Sequence, residues 1–410
     1  MKNPSNSKIK FGNQDNIHTR AELLSMLLEA WSFERKTEII PTLESCGRIL
    51  AKDVYSLYAS PQFRVSGLDG IAVKSELFEN GVPETSSWKE GVDFVRADTG
   101  DDFPDEFDSV IAIEDVSLSD GVLSLNEDFS FYPKCNTRPR GDLLKEKEPL
   151  GKALDLITPM KSALIAAGGH YTVEVLKPLR FSYIPTGDEL VSPGTSLTRG
   201  KTFESNSALV YGILKEKGAS LKTFPIIKDN KNDLANALDD ALDCSDVVLI
   251  NGGSSKGSED FNTALLESRS DGFFTHYVKA GPGRPIALAI IAGKPVINIP
   301  GPPVSCFVGL DWCINGLLDF YNCQKPKERQ RVKAVLADDL KKKKNFEMYY
   351  WFNLERTSDG FLAHLVSRKE TLATFVNSSN ALFVAELDRN FYEAGETIEL
   401  ELLCGLNEID

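Results

Sequence analysis

The chain has 410 residues, 42% of them hydrophobic and 26% charged, which excludes both a disordered polymer and a membrane-spanning bundle. Acidic residues outnumber basic ones 60 to 46, a net charge of −14, and a field of that sign disfavours nucleic-acid partners. Small anions are still admissible, in a pocket that is locally positive or bridged by a metal.

Thr19-Arg-Ala-Glu22 has the form of a capping box and predicts a helix with Leu23, Leu24, Leu27, Leu28 and Trp31 on one face. A second short helix is expected over Leu43 to Leu50. From Val54 to Asp142, short β-type runs such as Phe94-Val-Arg96 and Val110 to Ile113 alternate with Gly, Asp, Ser and Pro clusters. This texture predicts a small β-rich domain. A charged connector follows over Arg138 to Gly151, then a helix from Leu156 to Ala167 that stops at Gly168-Gly169.

From residue 178 to about 322 the rhythm changes. Strand Phe181 to Ile184, helix Ser207 to Lys217, strand 220–227, helix 232–242 and strand Asp246 to Ile250 follow one another. A Gly-rich loop, a helix near 261–268, strands near 286–298 and a helix from Val304 to Tyr321 complete the segment. The alternation predicts a doubly wound, largely parallel sheet, with ligand loops beyond the carboxyl ends of its strands. From about Pro326, β runs with turns at Ser358-Asp-Gly360 and Ala394-Gly-Glu396 predict a second small β domain, and Lys341 to Lys344 is expected to be a solvated basic face.

Seven cysteines, an odd number without a CxxC pair, predict reduced thiols rather than a disulfide framework or zinc knuckle. Histidines 18, 170, 276 and 364 are dispersed, which argues against a histidine metal site or a Ser-His-Asp hydrolase. Met1 to Gln14 lacks a signal-peptide core, and the apolar stretch Pro285 to Ile299 is broken at Gly293-Lys-Pro295. A cytoplasmic protein without membrane or nucleic-acid partners is expected.

Four loops can carry chemistry: Pro185-Thr-Gly-Asp-Glu-Leu190, Asn251 to Asp260, Gly281-Pro-Gly-Arg-Pro285 and Pro300-Gly-Pro-Pro-Val-Ser305. Glycines at strand ends let backbone N–H groups face an anion. Any one of these loops alone is as readily an ordinary turn. The Gly252–Asp260 loop is less so, because two serines, a lysine and two carboxylates share one strand-to-helix junction. Asp188, Glu189, Glu259 and Asp260 are either solvated turn residues or carboxylates for a magnesium ion that bridges phosphates.

Taken together, the motifs resemble the molybdopterin molybdenumtransferase family. Ile184 to Leu190, Ser205-Asn-Ser207, the Gly252-Gly-x-Ser-x-Gly-x-x-Asp260 loop, Pro282-Gly-Arg-Pro285 and Pro300-Gly-x-Pro-Val-Ser305 occur in that family's order and spacing. Upstream, Ser66-Gly-Leu-Asp-Gly-Ile-Ala-Val73 and Asp98-Thr-Gly100 look like two further family signatures.

The resemblance implies an α/β multidomain chain with a central doubly wound domain of molybdopterin-binding type, two β-rich domains and a helical linker domain. Its boundaries would be 1–50 plus 146–177 for the linker, 51–145 for the β-rich domain, 178–325 for the α/β domain and 326–410 for a C-terminal barrel-like domain. It further implies a homodimer with shared active sites, in which molybdate or tungstate enters the dithiolene of adenylylated molybdopterin and AMP leaves with Mg2+ assistance. An adenylyltransferase partner and client molybdoenzymes follow from the same likeness.

By motif match, Asp69, Glu189 and Asp260 stand at catalytic positions, Glu189 and Asp260 also at the metal. Thr99, Gly100, Thr186, Gly187, Asp188 and Asp229 fall at substrate positions. Gly252, Gly253, Ser255 and Gly257 would cradle phosphates, and Pro282, Arg284 and Ser305 would handle the anion. Three departures stand out: Gly281 replaces a usual lysine, with Lys279 the nearest substitute; Pro302 replaces an asparagine; and no arginine occurs over Met348 to Asn353, leaving Arg368 or Lys369 as candidates. They leave as alternatives a non-catalytic cofactor-binding chaperone and an interaction scaffold of the same fold.

Overall fold

Alternation with period two organises the unit formed by Lys36–Leu176. Gly70–Val73 is the middle strand of an antiparallel sheet, between Phe94–Ala97 and Ser109–Ala112. Ile71 and Val73 join Phe94, Ile111 and Leu123 in one core, while Ala72 meets Ala97, Phe103, Phe107 and Val110 on the other face. A further core of Leu50, Val54, Leu150, Ile157, Ile165 and Val175 holds the helix Pro159–Ala167, which is N-capped by Thr158. The computed structural model describes residues 17–119, 122–126, 128–252, 261–342 and 345–409.

The helix expected over Leu43 to Leu50 does not form. Thr42–Glu44 makes one 3-10 turn, Gly47 takes φ +82°, and Ile49 and Leu50 form bridges to Leu156 and Val175. A left-handed glycine ends helical winding, and the apolar pair is drawn into sheet-like pairing instead.

The second unit holds the segment up to Arg35 and everything from Lys177 on. Helix α1 (Arg20–Ala30) carries the expected capping box, with Leu23 and Leu27 buried. The sheet consists of β1 (Arg180–Pro185), β2 (Ser220–Thr223), β3 (Val247–Asn251), β4 (Phe274–His276), β5 (Ala287–Ile291) and β6 (Lys294–Ile299). Their order is β2-β1-β3-β6-β5-β4; the first four are parallel and the last two pair antiparallel. Strand β2 is shorter than the expected 220–227 because Pro225 cannot donate to the ladder, although Ile227 still bridges to Thr186.

Both faces of the sheet are covered. Helices α3 (Lys231–Cys244) and α4 (Phe261–Arg269) bury Leu234, Leu238 and Leu266 against Ile184, Val248 and Ile250. On the opposite face, α1, α2 (Asn206–Glu216), α5 (Pro303–Gly309) and α6 (Asn315–Tyr321) pack on Phe181, Tyr183, Leu249 and Ile297. Burial on two faces is why these strands read as continuous apolar runs. The helix expected over Val304 to Tyr321 contains a π turn at Leu310–Ile314 between α5 and α6.

The C-terminal strands β7 (Arg331–Leu336), β8 (Glu347–Thr357), β9 (Gly360–Leu365), β10 (Ala381–Ala385) and β11 (Thr397–Leu402) close in the order β8-β9-β7-β11-β10, with β10 returning to β8. Tyr349, Trp351 and Leu382, with Phe375 of α7 (Leu372–Ser378), enter the same core as Leu310 and Leu317. The basic run is not simply a solvated face. Lys342 is buried and its Nζ donates to the carbonyls of Glu386 and Leu387, so burial lowers its pKa; Lys343 and Lys344 lie outside the described residues. Among the described residues, no helix is long and apolar enough to cross a membrane.

Candidate functional site

In the Lys36–Leu176 unit the sheet delivers Asp69 to the head of its middle strand. Gly70 must follow as glycine, since a Cβ there would lie 1.9 Å from Ile111 O. The Asp69 carboxylate accepts from Thr99 N at 2.7 Å and Thr99 Oγ1 at 2.8 Å, and these two bonds hold its pKa below the usual carboxylate value. Gly100, at φ +91°, donates its N–H to Ser66 O at 2.9 Å and turns the Thr99 loop back onto the strand. The predicted residues Asp69, Thr99 and Gly100 are therefore one cluster.

In the second unit, the carboxyl ends of β1, β3 and β6 meet in a buried polar network. Asn251 is its hub. Its Nδ2 donates to Ile299 O (3.1 Å) and Pro300 O (3.0 Å), and its Oδ1 accepts from Asn206 Nδ2 (2.8 Å), with Tyr183 OH 3.0 Å away. Asn206 Nδ2 also donates to Gly301 O at 2.7 Å. On the other face of the sheet, Thr186 donates to Asn251 O through both N (2.9 Å) and Oγ1 (3.1 Å). Glu204 anchors the start of α2 by accepting from Ser207 N at 2.9 Å.

Glycine is required at two places in this network. Gly252 has φ +122°, and a Cβ would lie 2.5 Å from Thr186 O; its N–H donates to Ile299 O at 3.1 Å. Gly187 has φ +148°, and a Cβ would meet the Glu189 carboxylate at 2.7 Å. Asp188 and Asp229 face each other, each N–H 3.4 Å from the other's carboxylate. The Lys201 Nζ donates to Asp188 O at 2.6 Å, and Glu189 O accepts from Thr202 N. Gly253, Ser255, Gly257 and Asp260 lie outside the described residues.

The Gly281–Arg284 loop lies against α5: a Cβ on Gly283 would come within 3.1 Å of Ser305 O. Pro282 follows a cis peptide bond. The Arg284 guanidinium stacks between Tyr277 (5.3 Å to the ring centroid) and Phe346 (5.2 Å), and its buried Nε has no hydrogen-bond partner. Aromatic faces hold the plane of the cation while leaving its edge donors for an anion. Beside Asn206 and Pro303 opens an apolar pocket of about 500 Å3, walled by Phe307, Trp351, Phe375 and Leu403.

Comparison with known proteins finds matches over most of the chain. Residues 18–169 match the MoeA N-terminal region (domains I and II), 182–319 a probable molybdopterin binding domain, and 333–403 the MoeA C-terminal region (domain IV). The molybdopterin molybdenumtransferase of Haemophilus influenzae is 30% identical over 403 residues, which cover 92% of this chain and 96% of that one. The chain belongs to the molybdopterin molybdenumtransferase family. A Nostoc molybdopterin molybdenumtransferase is 24% identical, covering 93% of this chain and 92% of its own. The fold is that of the MoeA protein of Pyrococcus horikoshii, with a TM-score of 0.78 at 24% identity over 95% of this chain and all of the other.

Two of the departures from the family pattern can be followed in the structure. A Cβ at Gly281 would meet only the movable end of the Met348 side chain, Sδ at 2.9 Å and Cε at 3.3 Å. On β8, burial raises the pKa of Tyr350, opposed by the positive charge of Arg368. Arg368 thus lies within electrostatic reach of the Met348–Asn353 stretch of β8, which lacks an arginine. Of the two carboxylates expected at a magnesium ion, Glu189 stands in the loop after β1 and Asp260 lies outside the described residues. Among the described residues, however, no three acidic, histidine or cysteine groups make a metal cluster. The sequence reading missed Asn262 and Asn298, the amides behind Thr186. Asn298 left one clue, an amide within the apolar run Val296-Ile-Asn-Ile299, since a buried amide demands partners.

Proposed function

We propose that the chain inserts molybdate, or tungstate, into the dithiolene of adenylylated molybdopterin and releases AMP. The carrying observation is the buried network through which Asn251 ties the loop ends of β1, β3 and β6 into one frame. Such a frame suits a ligand with several phosphates, because a preorganised seat need not be ordered at binding. The apolar pocket beside Asn206 and Pro303 suits a flat ring attached to those phosphates.

In this reading Glu189 and Asp260 hold Mg2+, which keeps several waters and needs only one or two protein carboxylates. The ion would neutralise charge that develops on the phosphoanhydride oxygens. Thr186, Gly187, Asp188, Asp229 and Gly252 shape the phosphate seat, with Gly253, Ser255 and Gly257 continuing it. Pro282, Arg284 and Ser305 face the oxyanion, and Asp69 with Thr99 and Gly100 completes a site shared within a homodimer. The protein works in the cytoplasm, receives its substrate from an adenylyltransferase and passes the cofactor to client enzymes.

One observation favours a second reading, a cofactor-binding chaperone without turnover: position 281, where the family resemblance leads one to expect a lysine, is glycine. Incubation with adenylylated molybdopterin, magnesium and either molybdate or tungstate separates the two. AMP release with either oxyanion supports insertion; tight pterin binding without AMP release supports the chaperone.

A further inference from the structure

Tyr277 stands directly after β4, and its backbone takes φ +79°. That left-handed region suits glycine, and a bulky side chain there is strained. Of the seven non-glycine residues with positive φ among the described residues, Tyr277 is the one aromatic. Its side chain is half-buried, so filling the core does not account for a ring at this position.

The left-handed backbone changes where that ring goes. Successive side chains of a strand point to opposite faces. His276 and Tyr277 instead stack, with ring centroids 3.8 Å apart and planes 16° from parallel. The pairing of His276 with Ala287 continues as bonds from Tyr277 N to Ile286 O (2.9 Å) and from Val278 N to Arg284 O (3.0 Å). These bonds tie the backbone around Tyr277 to the far arm of the loop that carries Arg284. Arg284 Cζ lies 5.3 Å from the tyrosine ring centroid and 5.2 Å from that of Phe346. Its Nε is buried without a hydrogen-bond partner, so that nitrogen does not fix the plane of the group.

We propose that Tyr277 is a positioning residue for the oxyanion's cation. The left-handed backbone is kept because it brings the phenol ring against the Arg284 guanidinium and fixes the direction of that group's edge donors. This rests on the oxyanion reading of Arg284 above and goes beyond it by assigning the strain at residue 277 to the same site. A strained residue persists only where its surroundings over-determine it, and such strain collects at ligand clamps. Without the ring, the guanidinium must be ordered each time an anion binds, so affinity falls while the fold persists.

The test compares wild type with Tyr277→Phe, Tyr277→Ala and Tyr277→Gly, using molybdate as the probe. Loss of one cation–ring contact predicts molybdate binding weaker by about three- to thirtyfold in Tyr277→Ala, and equally so in Tyr277→Gly. Tyr277→Phe keeps the ring and should bind within about twofold of wild type. In the Arg284→Ala background, Tyr277→Ala should cause no further loss. The NMR signal of the Arg284 Nε–H should shift, and its exchange with water quicken, in both variants that lack the ring. Melting temperatures should place Tyr277→Gly above Tyr277→Ala, the reverse of the order at ordinary positions, because only glycine relaxes at φ +79°.

Unchanged molybdate affinity in Tyr277→Ala, with Arg284→Ala weakened, would overturn the proposal. So would an equal loss with and without Arg284, because the ring would then meet the anion itself, or a glycine variant no more stable than the alanine one. Should Tyr277→Ala fail to fold, Tyr277→Gly, free of the strain, carries the binding comparison. If wild type binds no molybdate, or Arg284→Ala binds it equally well, the oxyanion reading fails, and the Nε–H signal alone decides whether Tyr277 sets the guanidinium.

Discussion

Arg284 is the side chain whose removal speaks most directly to oxyanion binding. Its guanidinium is held between Tyr277 and Phe346 at 5.3 and 5.2 Å from their ring centroids, and its Nε is buried without a partner. Each aromatic contact contributes about 0.5–1 kcal/mol to holding the cation in place, more where water is excluded. A charge-assisted bond from the cation to a tetrahedral dianion contributes about 1.5–3 kcal/mol, so Arg284→Ala should weaken molybdate or tungstate binding by about ten- to a hundredfold. Pterin-nucleotide binding should change much less, because the Thr186 and Gly252 loops do not depend on Arg284. Arg284→Lys keeps the charge but loses the stacked plane and the paired donors, so its affinity should fall between the two. Phe346→Leu removes one of the two rings and should cost less than Arg284→Ala. Calorimetric titration of each ligand into each variant measures these differences. Unchanged oxyanion affinity in Arg284→Ala would mean that the stacked cation serves only the turn.

Four further outcomes follow from particular residues. Asp260→Asn should keep the fold and slow AMP release at least about tenfold, or roughly 1.4 kcal/mol of transition-state stabilisation, as single-turnover kinetics would show. Mixing an Asp69→Ala chain with an Asp260→Ala chain should restore part of the activity in a dimer with shared sites; a fully active monomer by light scattering contradicts that model. Thr99→Val removes the hydroxyl donor but keeps the N–H, so the Asp69 pKa should rise toward the free value of 3.8 in an NMR titration. The sign is that of a depressed carboxylate: the Thr99 clasp stabilises above the free-aspartate range and is lost as pH falls through the folded value. Lys342→Ala should destabilise by about 1–3 kcal/mol in urea unfolding, because two part-buried carbonyls lose a charged donor.

Much of the architecture could be read from local pattern. The capping box at Thr19, the strand–helix alternation after residue 178 and the glycine-rich loops all encode structure within a few residues of one another. Spacing of 3.6 or 2 and a left-handed glycine are properties of the chain itself, so they survive without knowledge of the partners. The same holds for Gly70 and Gly252, whose motifs mark places where backbone must approach backbone.

What the tertiary structure decided is which polar groups meet across the sheet. Nothing near Asn262 in the sequence indicates that its amide closes onto Gly252 and Thr186, 10 and 76 residues away. Leu43 to Leu50 has a helical composition, yet Gly47 and the pairing of Leu50 with Val175 take it into bridges. Lys342 has the look of solvated charge until the Glu386 and Leu387 carbonyls are brought to its Nζ. In each case the deciding energy is a contact between distant segments or the removal of a group from water. Sequence records which residues can make such contacts, and only the packed chain determines which of them do.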